Sequence, residues 1–405
     1  MKQRKWSLAV AIVSILVGIL SGEALLRAIG IPHKLNSGWG WEHSPARQSS
    51  KYNSLTINQL GYRGQTIQYQ PDDYVVLLVG DSGVEASASP PEHMPEQLLQ
   101  KSLAARLNKP VKVFSLASSG WGQDQQLLAV QKYFRTYRAN LVLLWPTPGN
   151  DYWENAFPDR SVNQEAGHLK PTFKLIDQEL HGPYFISGSY LHHSAILHLA
   201  ESVMAKINKE TLEQRILRDW LKEMPAPHEN KKQANESLCE GLTVIEQRKF
   251  YRDIFELDPN ISYTIKSDDD FHSSRSMFSP YISGLSKRDD YLIGITEKLL
   301  RRIKEEVENN NARFVVFYPL REEFDKRGTQ MVKCVSNSHG STFRVFFDYE
   351  GLLRRITPSN DLVVFDLPGH NENVVSPDDR HLNNFGNEQA MDKLSLSLME
   401  RAIFD

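Results

Sequence analysis

The sequence predicts an α/β fold, a three-layer sandwich in which a five-stranded parallel sheet lies between two layers of helices. Three observations predict it. Short apolar runs rich in β-branched residues recur along the chain, each bounded by Gly, Pro, Asn or Ser. Amphipathic stretches at helical spacing separate the first three runs, which is the rhythm of a parallel sheet covered by helices. The polar residues of unusual type follow the strand ends, the edge at which open α/β sheets bind ligands. The chain has 405 residues, 40% hydrophobic and 24% charged, enough for one large domain with an insertion. A net charge of -3 gives no bulk attraction to nucleic acid or anionic lipid.

The elements follow in order. Lys2, Arg4 and Lys5 precede Trp6 to Gly22, which is uncharged and mostly Leu, Ile, Val and Ala. Such a stretch makes about 25 Å of helix, at the short end for a membrane span. The basic flank then stays in the cytoplasm and the body lies outside. Gly22-Glu23-Ala24 is tolerable as a signal cleavage site, but the pattern runs on unbroken through Ile29, which favours an uncleaved anchor over residues 1–30. Residues 31–72 form a juxtamembrane segment rich in Gly, Ser, Asn, Pro and aromatics. Within it, Asn58-Gln59-Leu60-Gly61-Tyr62-Arg63-Gly64 either lies against the body or forms a surface turn.

Tyr74 to Val79 is a buried strand that stops at Gly80-Asp81-Ser82-Gly83. Pro95 to Leu107 is a helix with Leu98, Leu99, Leu103 and Leu107 at helical spacing, opened by proline and closed by Asn108 before Pro110. Val111 to Leu116 is the second strand, broken by Ala117-Ser118-Ser119-Gly120-Trp121-Gly122, and Gln123 to Tyr137 is the next helix. Leu141 to Trp145 is the third strand, ending in Pro146-Thr147-Pro148-Gly149-Asn150-Asp151. Residues 152–285 lose the rhythm and read as a mainly helical insertion, with helices near Ala195 to Ile207 and Thr211 to Glu223. The core resumes over residues 286–405 with a helix from Tyr291 to Val307, strands at Arg313 to Tyr318 and Leu362 to Phe365, and a last helix from Asn387 to Ala402. Cys239 and Cys334 are the two cysteines; they either pair in an oxidising compartment or stay as separate thiols. No clustered Cys/His set has zinc spacing, and no repeat period is present.

Taken alone, Gly80-Asp81-Ser82-Gly83 is an ordinary strand-to-helix turn with a capping serine. The other strand ends change its meaning. A serine hydroxyl needs a base, most often His, and His381 follows the last strand. A base needs a carboxylate to fix its tautomer, and Asp378, three residues earlier, can share one turn with it. Asp379 is adjacent, and the spacing favours Asp378. An oxyanion needs preorganised donors: the Ser82 N–H, the Gly120 N–H and the Asn150 side-chain amide. Asp81 and Asp151 read as structural.

These blocks, in this order, resemble the SGNH (GDSL-type) hydrolase superfamily. Gly80-Asp81-Ser82 resembles its first block, Ser119-Gly120 its second, Gly149-Asn150-Asp151 a shortened third, and Asp378-Asp379-Arg380-His381 its Asp-x-x-His block. Gly120-Trp121-Gly122-Gln123-Asp124-Gln125 and His381-Leu382-Asn383 resemble a bacterial subset with an N-terminal membrane segment. The resemblance covers residues 73–151 and 286–400. It implies a flavodoxin-like SGNH hydrolase fold, Ser82 as nucleophile with Asp378 and His381, an oxyanion hole of Ser82, Gly120 and Asn150, carboxylester substrates, and no metal or organic cofactor. The first block continues Gly83-Val84-Glu85 where the family often has another pattern, so this turn and the insertion are expected to shape substrate choice. The expectation is an exported, membrane-tethered esterase acting on an acylated small molecule or on O-acetyl groups of a surface or periplasmic glycan. Its rivals are an O-acyltransferase with the same residues and a glycan-binding or assembly protein without catalysis.

Overall fold

A computed structural model describes residues 2–28, 57–148, 151–158, 170–184, 194–196, 199, 203, 207, 212–225, 239–246, 249, 279–283, 286–321, 332–336, 342–346, 348–368, 371–376 and 379–404. The core is a five-stranded parallel sheet of β1 (Tyr74–Gly80), β2 (Val111–Ala117), β3 (Leu141–Trp145), β7 (Arg313–Arg321) and β10 (Leu362–Leu367). The strands lie in the order β10-β7-β3-β1-β2. In chain order the core strands therefore run 2-1-3-4-5, and the direction of winding reverses between β1 and β3. Each strand forms because it is apolar on both faces, as a sheet covered on both sides requires. Val75 to Val79, Leu141 to Leu144 and Val315 to Phe317 are all buried.

The helices between the strands pack in pairs against the sheet. α3 (Pro95–Leu107) packs beside the closing helix α9 (Asn384–Glu400), while α4 (Gln123–Phe134) packs beside α7 (Lys287–Asn309). α8 (Tyr349–Ile356) leads into β10 and also contacts α7. Beneath the α4 start lies a buried polar layer: the Lys170 ammonium pairs with the Asp124 carboxylate, both fully buried, and Asn155 donates to Gln123 at 2.6 Å and to Thr296 at 2.9 Å.

The stretch between β3 and α7 holds more strand than expected. β4 (Thr172–Ile176) and β5 (Glu179–Tyr184) form an antiparallel hairpin, and α6 (Leu212–Glu223) is the second of the two helices expected there, the first, near Ala195 to Ile207, lying largely outside the described residues. β6 (Val244–Glu246) pairs in parallel with β8 (Val332–Ser336), which pairs with β9 (Thr342–Phe346). Cys239 and Cys334 form a disulfide with Cα atoms 5.8 Å apart, so the open pairing is made, and it ties this small sheet to the segment before β6.

α1 (Lys2–Ala28) is the N-terminal helix, 27 residues long. Among the described residues no helix is long and apolar enough to cross a membrane. The membrane span expected over residues 6–22 is therefore not supported by the described residues. Glu23 and Arg27, near the end of the helix, pair at 2.8 Å. Val10, Val13, Leu16, Val17 and Leu20 nonetheless stand exposed on several sides of this helix, outside any core. The segment Asn58–Gly64 lies against the body: Asn58, Tyr62 and Arg63 are buried, and the Asn58 amide donates to the Ser115 carbonyl at 3.1 Å.

Candidate active site

Ser82 opens the short helix α2 (Ser82–Glu85), set directly on the end of β1. Asp81 is its N-cap and accepts from the Gly83 N–H at 3.1 Å. Gly80 permits this close seating, because a Cβ there would lie 2.5 Å from Val84 Cγ2 and 3.1 Å from the Trp145 carbonyl. The position is the reversal point of the sheet, since Gly80 is in register with Ala117 of β2 on one side and Trp145 of β3 on the other.

His381 comes to Ser82 from the far end of the chain. It lies on β12 (Asp379–Leu382), which pairs with β11 (Val374–Ser376). Asn383 follows, caps α9 by accepting from the Gly386 N–H at 2.9 Å, and donates to the Val374 carbonyl at 2.9 Å. Strand and cap together hold the imidazole. Its Nε2 lies 2.8 Å from Ser82 Oγ, and its Nδ1 lies 2.5 Å from Asp379 Oδ1. With a carboxylate at Nδ1, the neutral ring carries its proton there and leaves Nε2 to accept from the hydroxyl.

The structure thus joins Ser82 and His381 and places Asp379 at the imidazole. Asp378, the carboxylate that the spacing favours, lies outside the described residues, as does Asn150. Reading the segment as a turn pointed to the residue three before His381. The described part of the segment, from Asp379 onward, is a strand, and on a strand residues two apart share a face, which puts Asp379 beside His381. Gly120 follows β2 at the same sheet edge as Ser82, at φ 74, a left-handed conformation that glycine takes without steric cost.

Of Gly83-Val84-Glu85, the turn expected to shape substrate choice, Val84 and Glu85 turn inward. Val84 is fully buried against Gly80, and Glu85 turns its carboxylate inward to accept from the Ser119 N–H at 2.8 Å. Arg63 lies behind it, donating to the carbonyls of Glu85 at 2.8 Å, of Ser89 at 2.5 Å, and of Ala86. The sequence singled out the segments that hold these two residues but gave neither this role, because their partners are main-chain atoms.

Two buried carboxylates underlie the nucleophile. Burial pushes the Asp81 carboxyl above the usual carboxylate range, against the Gly83 N–H, the Thr147 and Ser82 side chains and the nearby His381, which hold it down. Asp151 is pushed well above that range by burial and then by the like charge of Asp81, although it accepts from the Thr147 N–H at 2.7 Å and from Gln123 at 2.5 Å. Among the described residues no group of three or more His, Cys, Asp or Glu is placed to hold a metal ion. What the arrangement can do is proton transfer from a hydroxyl to an oriented imidazole, the chemistry of an activated serine nucleophile.

No family model matches the chain, and no curated protein matches it. Among solved structures it is similar to a GDP-L-fucose synthetase from Naegleria fowleri bound to NADP, at 10% identity and a TM-score of 0.20, over 83% of this chain and 95% of that one. A likeness of that strength carries no argument about fold or function.

Proposed function

We propose that the protein is an exported serine esterase of the SGNH type, working through an acyl-enzyme. The observation that carries this is the relay from Ser82 Oγ through both nitrogens of His381 to Asp379, with spacings of 2.8 Å and 2.5 Å. The flavodoxin-like strand order, with Ser82 at its reversal point, supports the same reading. Ser82 Oγ attacks the ester carbonyl carbon while His381 Nε2 takes its proton. As the carbon–oxygen bond to the alcohol breaks, His381 returns that proton to the departing oxygen. Water, deprotonated by the same nitrogen, then frees the acid and restores the serine. The Ser82 and Gly120 N–H groups, with the Asn150 amide, are proposed as the donors to the oxyanion. This chemistry needs no cofactor.

Hydrolysis is favoured over transfer to a glycan hydroxyl by exposure at the relay, where the His381 and Asp379 side chains are 50% and 45% exposed and open to water. The Cys239–Cys334 disulfide supports an oxidising compartment, the periplasm or outer surface, and the exposed apolar α1 with its basic start supports a membrane tether. O-acetyl groups on a glycan there are the proposed substrate. The test is Ser82→Ala assayed on p-nitrophenyl acetate. Turnover and fluorophosphonate labelling should both vanish while the melting temperature is kept; a variant that still turns over the ester at the wild-type rate overturns the assignment.

A further inference from the structure

We infer that Glu85 is a positioning residue that fixes the oxyanion turn to the nucleophile, and that Arg63 holds it in place. The inference deepens the esterase reading and rests on it. Three observations carry it. First, α2 is a single turn with Ser82 at its first residue and Glu85 at its last, so one rigid element carries both. Second, the Glu85 carboxylate, only 6% exposed, accepts from the Ser119 N–H at 2.8 Å, one residue before Gly120. Gly120 takes its left-handed φ of 74 immediately after that bond, so the direction of its N–H follows from where Ser119 is held. Third, Arg63, 3% exposed, spreads its guanidinium over the carbonyls of Glu85, Ala86 and Ser89, where α2 leaves through Ala86 at φ 44. The Arg63 charge also offsets the burial of Glu85.

Arg63 is itself fixed to the sheet. Its carbonyl lies 2.8 Å from Ser115 Oγ, and the fully buried Glu96 accepts from the Ser115 N–H at 2.8 Å and lies 2.7 Å from the same Oγ, so the two acceptors share the one hydroxyl proton. Gly64 is required here, because a Cβ would lie 2.4 Å from Glu96 Oε2 and 2.6 Å from Ser115 Oγ. The segment ahead of the first core strand thereby reaches the catalytic edge without touching a reacting atom. A fork with several donors suits this task, and a lysine ammonium does not match it.

The experiment compares Glu85→Leu and Glu85→Gln with the wild type and Ser82→Ala, in the full chain. Two readouts are taken: kcat and KM for p-nitrophenyl acetate, and amide hydrogen exchange across residues 117–122. Glu85→Leu should lose about 10- to 100-fold in kcat with KM little changed, as for a misplaced oxyanion donor. The Ser119 amide should exchange faster while the β1 and β2 amides stay protected. Glu85→Gln keeps one acceptor oxygen and should recover most of both. Unchanged exchange at Ser119 in Glu85→Leu overturns the inference, whether or not the chain hydrolyses esters. So does a Glu85→Gln variant as impaired as Glu85→Leu, because the acceptor would then not matter. Wild-type turnover no higher than that of Ser82→Ala sinks the esterase reading instead, and the exchange result still decides the role of Glu85 in holding the turn.

Discussion

Two adjacent aspartates precede His381, and the described one, Asp379, stands at the imidazole. On β12 the side chains of Asp379 and His381 share one face, and Asp379 Oδ1 accepts from both the His381 ring and, at 3.2 Å, its backbone N–H. Asp379→Asn should therefore lower kcat by about 10²- to 10⁴-fold, because an amide at Nδ1 can stabilise the wrong tautomer. Asp378→Asn should keep most of its turnover. Steady-state kinetics on both variants decides it, and the reverse order of damage would give the role to Asp378. Ser82, Gly120 and His381 were legible in the sequence because each interrupts or follows an apolar run with a residue that packing alone does not demand. The choice between Asp378 and Asp379 was not, because turn and strand spacing differ by one residue. The segments that hold Arg63 and Glu85 stood out, but the roles of the two residues did not, because they bind main-chain carbonyls and N–H groups, which no sequence pattern encodes.

The core strands were legible at the scale of elements because burial on both faces forces continuous apolar runs. The hairpin of β4 and β5 was not: Glu179-Leu180-His181-Gly182-Pro183-Tyr184 is largely exposed and has no apolar alternation to read. α7 starts four residues before its apolar periodicity, at a capping box of Ser286 and Asp289. Between α2, α4 and the short helix α5 (Asp151–Glu154) lies the buried pair Asp81 and Asp151, and it makes stability depend on pH. A carboxyl raised in the folded state holds its proton more tightly there than when unfolded. Its contribution is present below the unfolded value of about 4 and is lost as pH rises toward the folded value, by up to about 1.4 kcal/mol per pH unit per proton. Asp151→Asn removes that proton from the balance. Its amide oxygen still accepts from Gln123 and Thr147, and its NH₂ replaces Asp151 Oδ1, which has no partner. Melting temperatures at pH 5 and pH 8 should show the variant gaining on the wild type as pH rises; parallel curves would show that Asp151 does not titrate abnormally.

At the scale of the whole molecule, the sequence left open whether Cys239 and Cys334 meet, because 95 residues separate them and nothing local aligns them. The topology brings them together. β8, which carries Cys334, follows β7 of the core, while β6, which pairs with it, belongs to the long stretch between β3 and α7. The bond therefore closes a loop that contains α7 and β7, one flank of the sheet, and ties the irregular stretch to the core. For a loop near that length the chain-entropy model gives about 4–5 kcal/mol of stabilisation, acting on the unfolded chain. Replacing both residues, Cys239→Ser with Cys334→Ser, should lower the melting temperature by roughly 5 °C. The effect on ester turnover well below that temperature should be small, because Ser82, His381 and Asp379 lie outside the loop. Mass spectrometry of alkylated wild-type protein, before and after reduction, establishes whether the bond is present. A wild type carrying two free thiols, or a double variant that melts with it, would remove the disulfide from the account of stability and, with it, the support it lends to an oxidising compartment.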